Sequence, residues 1–137
     1  MNILKILTSR RKTGNKGEDF AAKYLRKNKY KIVSRNYVGV NTEIDVIAEN
    51  KTTVAFVEVK TRTLGYENPR EPRPSSAVTP EKQRKIISAA KYYLGAHPNE
   101  KRVSLDIIEV YLTKDQKLHS INHIENAFNV NTAYNKR

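Results

Sequence analysis

Two apolar runs near the middle of the chain, Glu43 to Glu49 and Thr53 to Arg62, meet at Asn50 and Lys51. A connection that short joins only antiparallel neighbours, so the pair is predicted to be a β-hairpin. The second run contains Phe56-Val57-Glu58-Val59-Lys60, apolar enough for a central strand. Alternation puts Ala55, Val57 and Val59 on one face and Phe56, Glu58 and Lys60 on the other. The first run reads Glu43-Ile44-Asp45-Val46-Ile47, with an acid where strand propensity would choose a hydrophobe. Local rules broken in two adjacent strands mark a site.

Other elements assemble around this hairpin. Tyr30 to Val38 is polar enough to be an edge strand. Gly17 to Asn28 is predicted to be a helix with Phe20, Ala21, Tyr24 and Leu25 at helical spacing and Glu18 and Asp19 in its first turn. Glu18 precedes Ala21, Ala22 and Leu25 by three, four and seven residues, so it shares their core-facing stripe. Leu64 to Ser76, with Gly65, Pro69, Pro72 and Pro74, reads as a long exposed loop. Thr79 as N-cap, Pro80 and Glu81 open a second helix whose Ile86, Ile87, Ala90 and Leu94 face the core before Gly95 ends it. Gln83 lies on that buried stripe. Val103 to Leu112 is the next strand, Lys117 to Ile121 a short one, and the polar residues after Phe128 a frayed tail. A strand that follows a crossover helix can pair parallel to an earlier strand. The order therefore predicts an α/β domain, a mixed sheet flanked by helices, over residues 14–128, with a basic segment at 1–13, a long loop at 64–76 and a tail at 129–137.

A chain of 137 residues suits one core. It carries 26 Lys and Arg against 14 Asp and Glu, a net charge of +12. Residues 1–36 hold 11 of those cations and only Glu18 and Asp19 as acids. A surplus so placed calls for a polyanion, and nucleic acid is the favoured one, with Arg10, Arg11, Lys12, Lys16 and Arg62 as candidate contacts. The absence of cysteine excludes disulfides, thiolate metal sites and thiol catalysis, and suggests a reducing compartment. The apolar patch of Ile3, Leu4, Ile6 and Leu7 is too short for a signal or spanning segment, so a cytoplasmic, membrane-free protein is expected. His119 and His123 stand four apart, but on a strand end and turn, which argues against a metal pair. Tyr24, Tyr92 and Tyr93 fall in helices, where packing is the commoner use. No phosphate-cradling glycine loop is present.

Two strand carboxylates beside a lysine suit a divalent cation with oxygen ligands, Mg²⁺ or Mn²⁺, and the hydrolysis of a phosphodiester. The plainer alternative is a half-exposed strand face with a Glu58–Lys60 ion pair and a solvated Asp45. The apolar flanks, and the separate placement of Glu18 and Gln83 on buried stripes, weigh against it.

Asp45 followed by Glu58-Val59-Lys60 resembles the D…ExK core of the restriction-endonuclease-like, or PD-(D/E)xK, superfamily, which includes Holliday-junction resolvases. More narrowly, five segments in order are similar to the bacterial YraN-like family: Gly14 to Glu18 with Ala21 and Ala22, Glu43 to Ile47, Phe56 to Arg62, Ala77 to Gln83, and His123 to Phe128. The resemblance implies an αβββαβ core in which Asp45, Glu58 and the Val59 backbone carbonyl bind Mg²⁺ or Mn²⁺. Lys60 would position the nucleophile, Glu18 would complete the acidic cluster and Gln83 would line the site. The chain departs from the family pattern at Thr42 in place of glycine, in the proline-rich segment after Thr63, and at Leu105 before Asp106, which makes Asp106 a structural candidate.

The expected function is a metal-dependent endonuclease acting on DNA, branched or single-stranded. A non-catalytic nucleic-acid-binding module and a protein-interaction partner using the basic N-terminus are the alternatives. A homodimer would give two symmetric sites.

Overall fold

The computed structural model describes residues 3–65 and 78–134, with side chains from Asn15 onward. In chain order the elements are α1 (Ile3–Lys27), β1 (Lys31–Val38), β2 (Glu43–Glu49), β3 (Thr53–Thr63), α2 (Pro80–Ala96), β4 (Arg102–Leu112), β5 (Leu118–Ile124) and α3 (Val130–Tyr134). Five strands form one sheet in the order β1-β2-β3-β4-β5. The first three make an antiparallel meander, β4 lies parallel to β3 over eleven partner pairs, and β5 returns antiparallel. This is a mixed α/β fold, with the sheet flanked by helices as the element order predicted and β3 at its centre.

Helices cover both faces. Ala21 and Leu25 of α1 pack on Val46, Ala48, Ala55, Val57, Ile108, Val110 and Leu112. On the opposite face Ala89, Ala90 and Tyr93 of α2 meet Ile44, Ile47, Val54 and Phe56. Alternation along β3 explains the division, since Ala55 and Val57 point to α1 while Val54 and Phe56 point to α2. Lower on the α2 face, Ile86, Ile87, Phe128 and Ala133 close around Ile107. Among the described residues no helix is long and apolar enough to cross a membrane.

The ends of α1 correct one expectation. The helix begins at Ile3 rather than Gly17 and has no acid in its first turn, so Glu18 and Asp19 sit in mid-helix and gain nothing from the N-terminal dipole. It stops by a Schellman arrangement: Lys29 takes φ 70°, Tyr30 N–H donates to the Leu25 carbonyl at 3.0 Å and Lys29 N–H to the Arg26 carbonyl at 3.1 Å. Arg26 and Lys27 in the last turn suit the dipole there.

At the start of α2, Thr79 caps the helix, accepting from Lys82 N at 3.2 Å, with Pro80 behind it. Gly95 does not end this helix, which runs to Ala96 with His97 as its cap. β5 extends to Ile124, past the predicted Ile121. The expected frayed tail contains α3, in which Ala133 is buried and Asn129 and Thr132 bond reciprocally at the N-terminus. Most of the predicted loop, 66–76, lies outside the described residues.

Candidate active site at a fork between two strands

The ladder between β2 and β3 runs from Glu49 opposite Val54 to Val46 opposite Val57, and there it stops. Beyond Val57, β3 continues to Thr63 with β4 as its lateral support. At the opening of this fork Asp45 Oδ2 accepts the Val59 N–H at 2.8 Å, taking the place of a ladder carbonyl. A strand residue directs its N–H and C=O to the same side, so the Val59 carbonyl also faces the fork.

Glu58 and Lys60 share the α2-facing side of β3, with Lys60 Nζ 3.6 Å from Glu58 Oε1, the Lys60 side chain 23% exposed and that of Glu58 10%. Against the other face of the strand, Gly17 lets α1 approach closely. A Cβ there would stand 1.9 Å from Thr61 Oγ1. One residue on, Glu18 has an Oε1 that is buried without a hydrogen-bond partner.

Burial dominates the electrostatics. It raises the Glu18 carboxyl to about 7, with the Asp45 charge adding to the shift and Arg35 opposing it. Glu58 also rises to about 7, again through burial first and Asp45 second, against the pull of Lys60 and Lys82. Asp45 itself is raised by burial, while the Val59 N–H, Lys82 and Lys60 act to lower it. Asp45 is therefore the common neighbour, influencing Glu18 from one side and Glu58 from the other.

Lys82 belongs to this site and was not foreseen. It stands in the first turn of α2, where a cation opposes the helix dipole, and its Nζ donates to Thr42 Oγ1 at 2.7 Å. Its charge favours the ionised forms of both Asp45 and Glu58. The unfavourable helix position was the one sequence signal available. Thr42, in the turn before β2, is what holds it.

The structure thus gathers Glu18, Asp45, Glu58 and Lys60 about the fork. Gln83 is half-buried as its stripe implied, and its amide is engaged structurally: Nε2 donates to the Val78 carbonyl at 3.0 Å and Oε1 accepts from Thr132 at 2.8 Å. Arg62 follows Lys60 on the same face of β3. Lys16, on α1, acts on Asp115 in the β4–β5 turn. Arg10, Arg11 and Lys12 lie in α1, and their side chains are outside the described residues.

Away from the fork, the buried Asp106 anchors a polar network. His123 Nε2 stands 2.8 Å from Asp106 Oδ2 and Tyr24 Oη 3.1 Å from His123 Nδ1. The carboxylate accepts, so the imidazole donates through Nε2, and its Nδ1 shares a hydrogen bond with the phenol. Ser104 and the Asn126 N–H complete the shell of Asp106. With Ala127 N–H on the Leu105 carbonyl and Phe128 in the core, this accounts for the segment from His123 to Phe128 as a clamp on β4. His119 instead meets Ser120, so the two histidines serve separate contacts.

Among the described residues no three His, Asp or Glu groups already stand together as a ligand set. The donor chemistry nonetheless fits a hard divalent cation. Burial and the Asp45 charge hold the Glu18 and Glu58 carboxyls protonated up to near neutrality, and an unpartnered buried oxygen awaits a donor or a positive charge.

Fold and site together define a mixed α/β protein with a carboxylate and lysine cluster at a strand fork. The family model described as "Uncharacterised protein family UPF0102" matches residues 17–110, and the chain belongs to that family, the YraN-like one. Similar proteins include UPF0102 proteins of Chlorobium phaeobacteroides, 41% identical over 120 residues, covering 84% of this chain and 91% of the relative, and of Caldanaerobacter subterraneus, 43% identical over 126 residues, 88% and 97%. Another, from Desulfosudis oleivorans, is 41% identical over 130 residues, 93% and 98%.

Proposed function

We propose that the chain is a Mg²⁺- or Mn²⁺-dependent nuclease of the restriction-endonuclease-like fold that hydrolyses phosphodiester bonds in DNA, branched or single-stranded. The observation that supports this reading is the fork itself. Asp45 holds the Val59 N–H while its charge, together with burial, keeps Glu18 and Glu58 near neutrality in pKa. Such an arrangement is costly for the fold alone and suits a cation.

Asp45, Glu58, the Val59 carbonyl and Glu18 would hold the ion. Bound there, it supplies Lewis acidity toward a phosphate oxygen and a more acidic water. The chain's own groups do the rest. Asp45 fixes the path of β3 through Val59, so that Glu58 and Lys60 keep one geometry. Lys60, beside Glu58, orients the attacking water and offsets charge on the phosphate. Lys82, on its Thr42 perch, limits repulsion between Asp45 and Glu58 until substrate arrives. The cations concentrated in the first 36 residues draw the polyanion toward the domain.

The test is cleavage of a panel of duplex, single-stranded and branched DNA with and without Mg²⁺. Metal-dependent cleavage lost in Asp45→Ala, Glu58→Ala and Lys60→Ala is expected. Activity that survives all three substitutions refutes the proposal. An intact substrate, with binding that falls with salt at a slope of about −5 for roughly six neutralised phosphates, would instead favour a binding module.

A further inference from the structure

The flank of α1 that faces β5 carries Phe20, Lys23, Tyr24 and Lys27, spaced so that they form one stripe. With Leu118 and Ile121 of β5 they line a groove of about 210 Å³. Its floor is apolar: Leu118 is 42% exposed, and Phe20, Tyr24 and Ile121 rest partly buried on the α1-side core. Its rim is cationic. Lys23 and Lys27 are exposed, and among the described residues no carboxylate pairs with either.

β5 is also an edge of the sheet. It pairs with β4 and with no other described strand, so its outer side presents a row of backbone donors and acceptors. An apolar floor, an open strand edge and a basic rim coincide.

We propose that this groove docks an extended segment of a partner protein, acidic and apolar along one face, which adds as a strand to the outer edge of β5. Main-chain hydrogen bonds to the edge would give affinity, and the groove would select the side chains. Charge complementarity picks the acidic character. Lys23 and Lys27 are unneutralised, they lie in the quarter of the chain that holds most of the +12 surplus, and steering by such a field favours an anionic partner. The lengths also match. Lys23 and Lys27 differ by about 6 Å along a helix axis, and alternate residues of a strand differ by about 6–7 Å, so two carboxylates on one face of the strand can meet both ammonium groups. Aliphatic Leu118 and Ile121, beside an open backbone edge, suit a peptide better than stacked bases.

The groove lies on the β5 side of α1, whereas Glu18 faces the fork from the core stripe. A docked partner therefore leaves the carboxylate cluster open, and the inference stands whether or not the chain cleaves DNA.

The experiment uses the full chain and a fluorescent peptide whose one strand face carries two glutamates at successive same-face positions followed by two isoleucines, with threonine on the other face. Saturable binding is expected, weakened at least tenfold by Lys23→Glu with Lys27→Glu and by Leu118→Lys, and left unchanged by Lys85→Glu on α2. Amides of β5 should gain protection from exchange when the peptide binds. Several results would overturn the proposal: no binding, equal binding by the charge-reversed variant, or equal binding of a peptide with lysine in place of glutamate. A chain whose β5 amides are already protected in a dimer, or DNA that displaces the peptide from wild type yet fails to bind the charge-reversed variant, would likewise assign the groove to another occupant.

Discussion

Replacing Gly17 by alanine in mid-helix is, by propensity alone, stabilising by about 0.5–1 kcal/mol. The packing of α1 on β3 reverses that sign. The new methyl would lie 1.9 Å from Thr61 Oγ1, 3.0 Å from its Cβ and 3.1 Å from its Cγ2. Of the three Thr61 rotamers one keeps the hydroxyl at that position and one brings the methyl there, and the third still leaves the 3.0 Å contact with Cβ in place. Either the rotamer or the helix must yield, at an overpacking cost of roughly 1–3 kcal/mol. Subtracting the propensity gain leaves a net loss of up to about 2.5 kcal/mol, a fall in melting temperature of up to roughly 10 °C for a chain of this size. Gly95 supplies the control, because nothing lies within 4 Å of a Cβ built there; alanine at that site, near the end of α2, should raise stability by about 0.5 kcal/mol. Urea denaturation of Gly17→Ala, Thr61→Ala and the double variant forms a cycle. Thr61→Ala removes Oγ1 and Cγ2, so the two substitutions should couple favourably by about 1 kcal/mol. A Gly17→Ala chain as stable as Gly95→Ala, or a cycle with no coupling, would show that the close approach of α1 to β3 does not hold the site.

Three further outcomes follow from the same geometry. Glu18 and Glu58 keep their protons in the folded state to about pH 7 and lose them near 4.5 when unfolded; the native state then binds more protons, so metal-free stability should decline as pH rises from about 4.5 through 7. Melting curves across that window should show the decline, flattened in Glu58→Gln and reduced by Mg²⁺ at the upper end; a rise instead would contradict the buried cluster. Lys82→Met should move the Glu58 titration, followed by carbon NMR, upward, whereas Lys85→Met should not, because Lys85 pairs with Glu81. His123→Ala leaves Asp106, fully buried, without its 2.8 Å partner and should cost roughly 2–4 kcal/mol in urea denaturation, part of it recovered by adding Asp106→Asn.

What the sequence revealed divides along physical lines. The hairpin and the faces of β3 were legible because alternation is a local property, and the inward set of Glu18 followed from its helical spacing alone. The N-terminal half of α1 was not, since Gly14 and Gly17 have poor helix propensity and Gly17 is retained for contact with Thr61, a residue 44 positions away. α3 escaped because five residues carry no readable period. The acids within apolar strands pointed to Asp45 and Glu58, yet alternation cannot say where two strands part, so the fork and the Asp45 bond to Val59 needed the fold. Lys82 and the Asp106 network were hidden for the same reason: their partners, Thr42 and Tyr24, are remote in sequence.

The point at which β2 leaves β3 also bears on how the molecule assembles. Up to Val57 the central strand can form with its hairpin neighbour, across a short turn and at small entropic cost. Among the described residues, the strand partners of Glu58 to Thr63 are Ile107 to Leu112 alone, 49 positions further along the chain. A contact that distant waits for a large loop to close and for α2 to cross the sheet. The half of β3 that carries Glu58 and Lys60 should therefore be among the last parts of the sheet to take shape, so that a chain still folding displays its basic helix before the fork is complete.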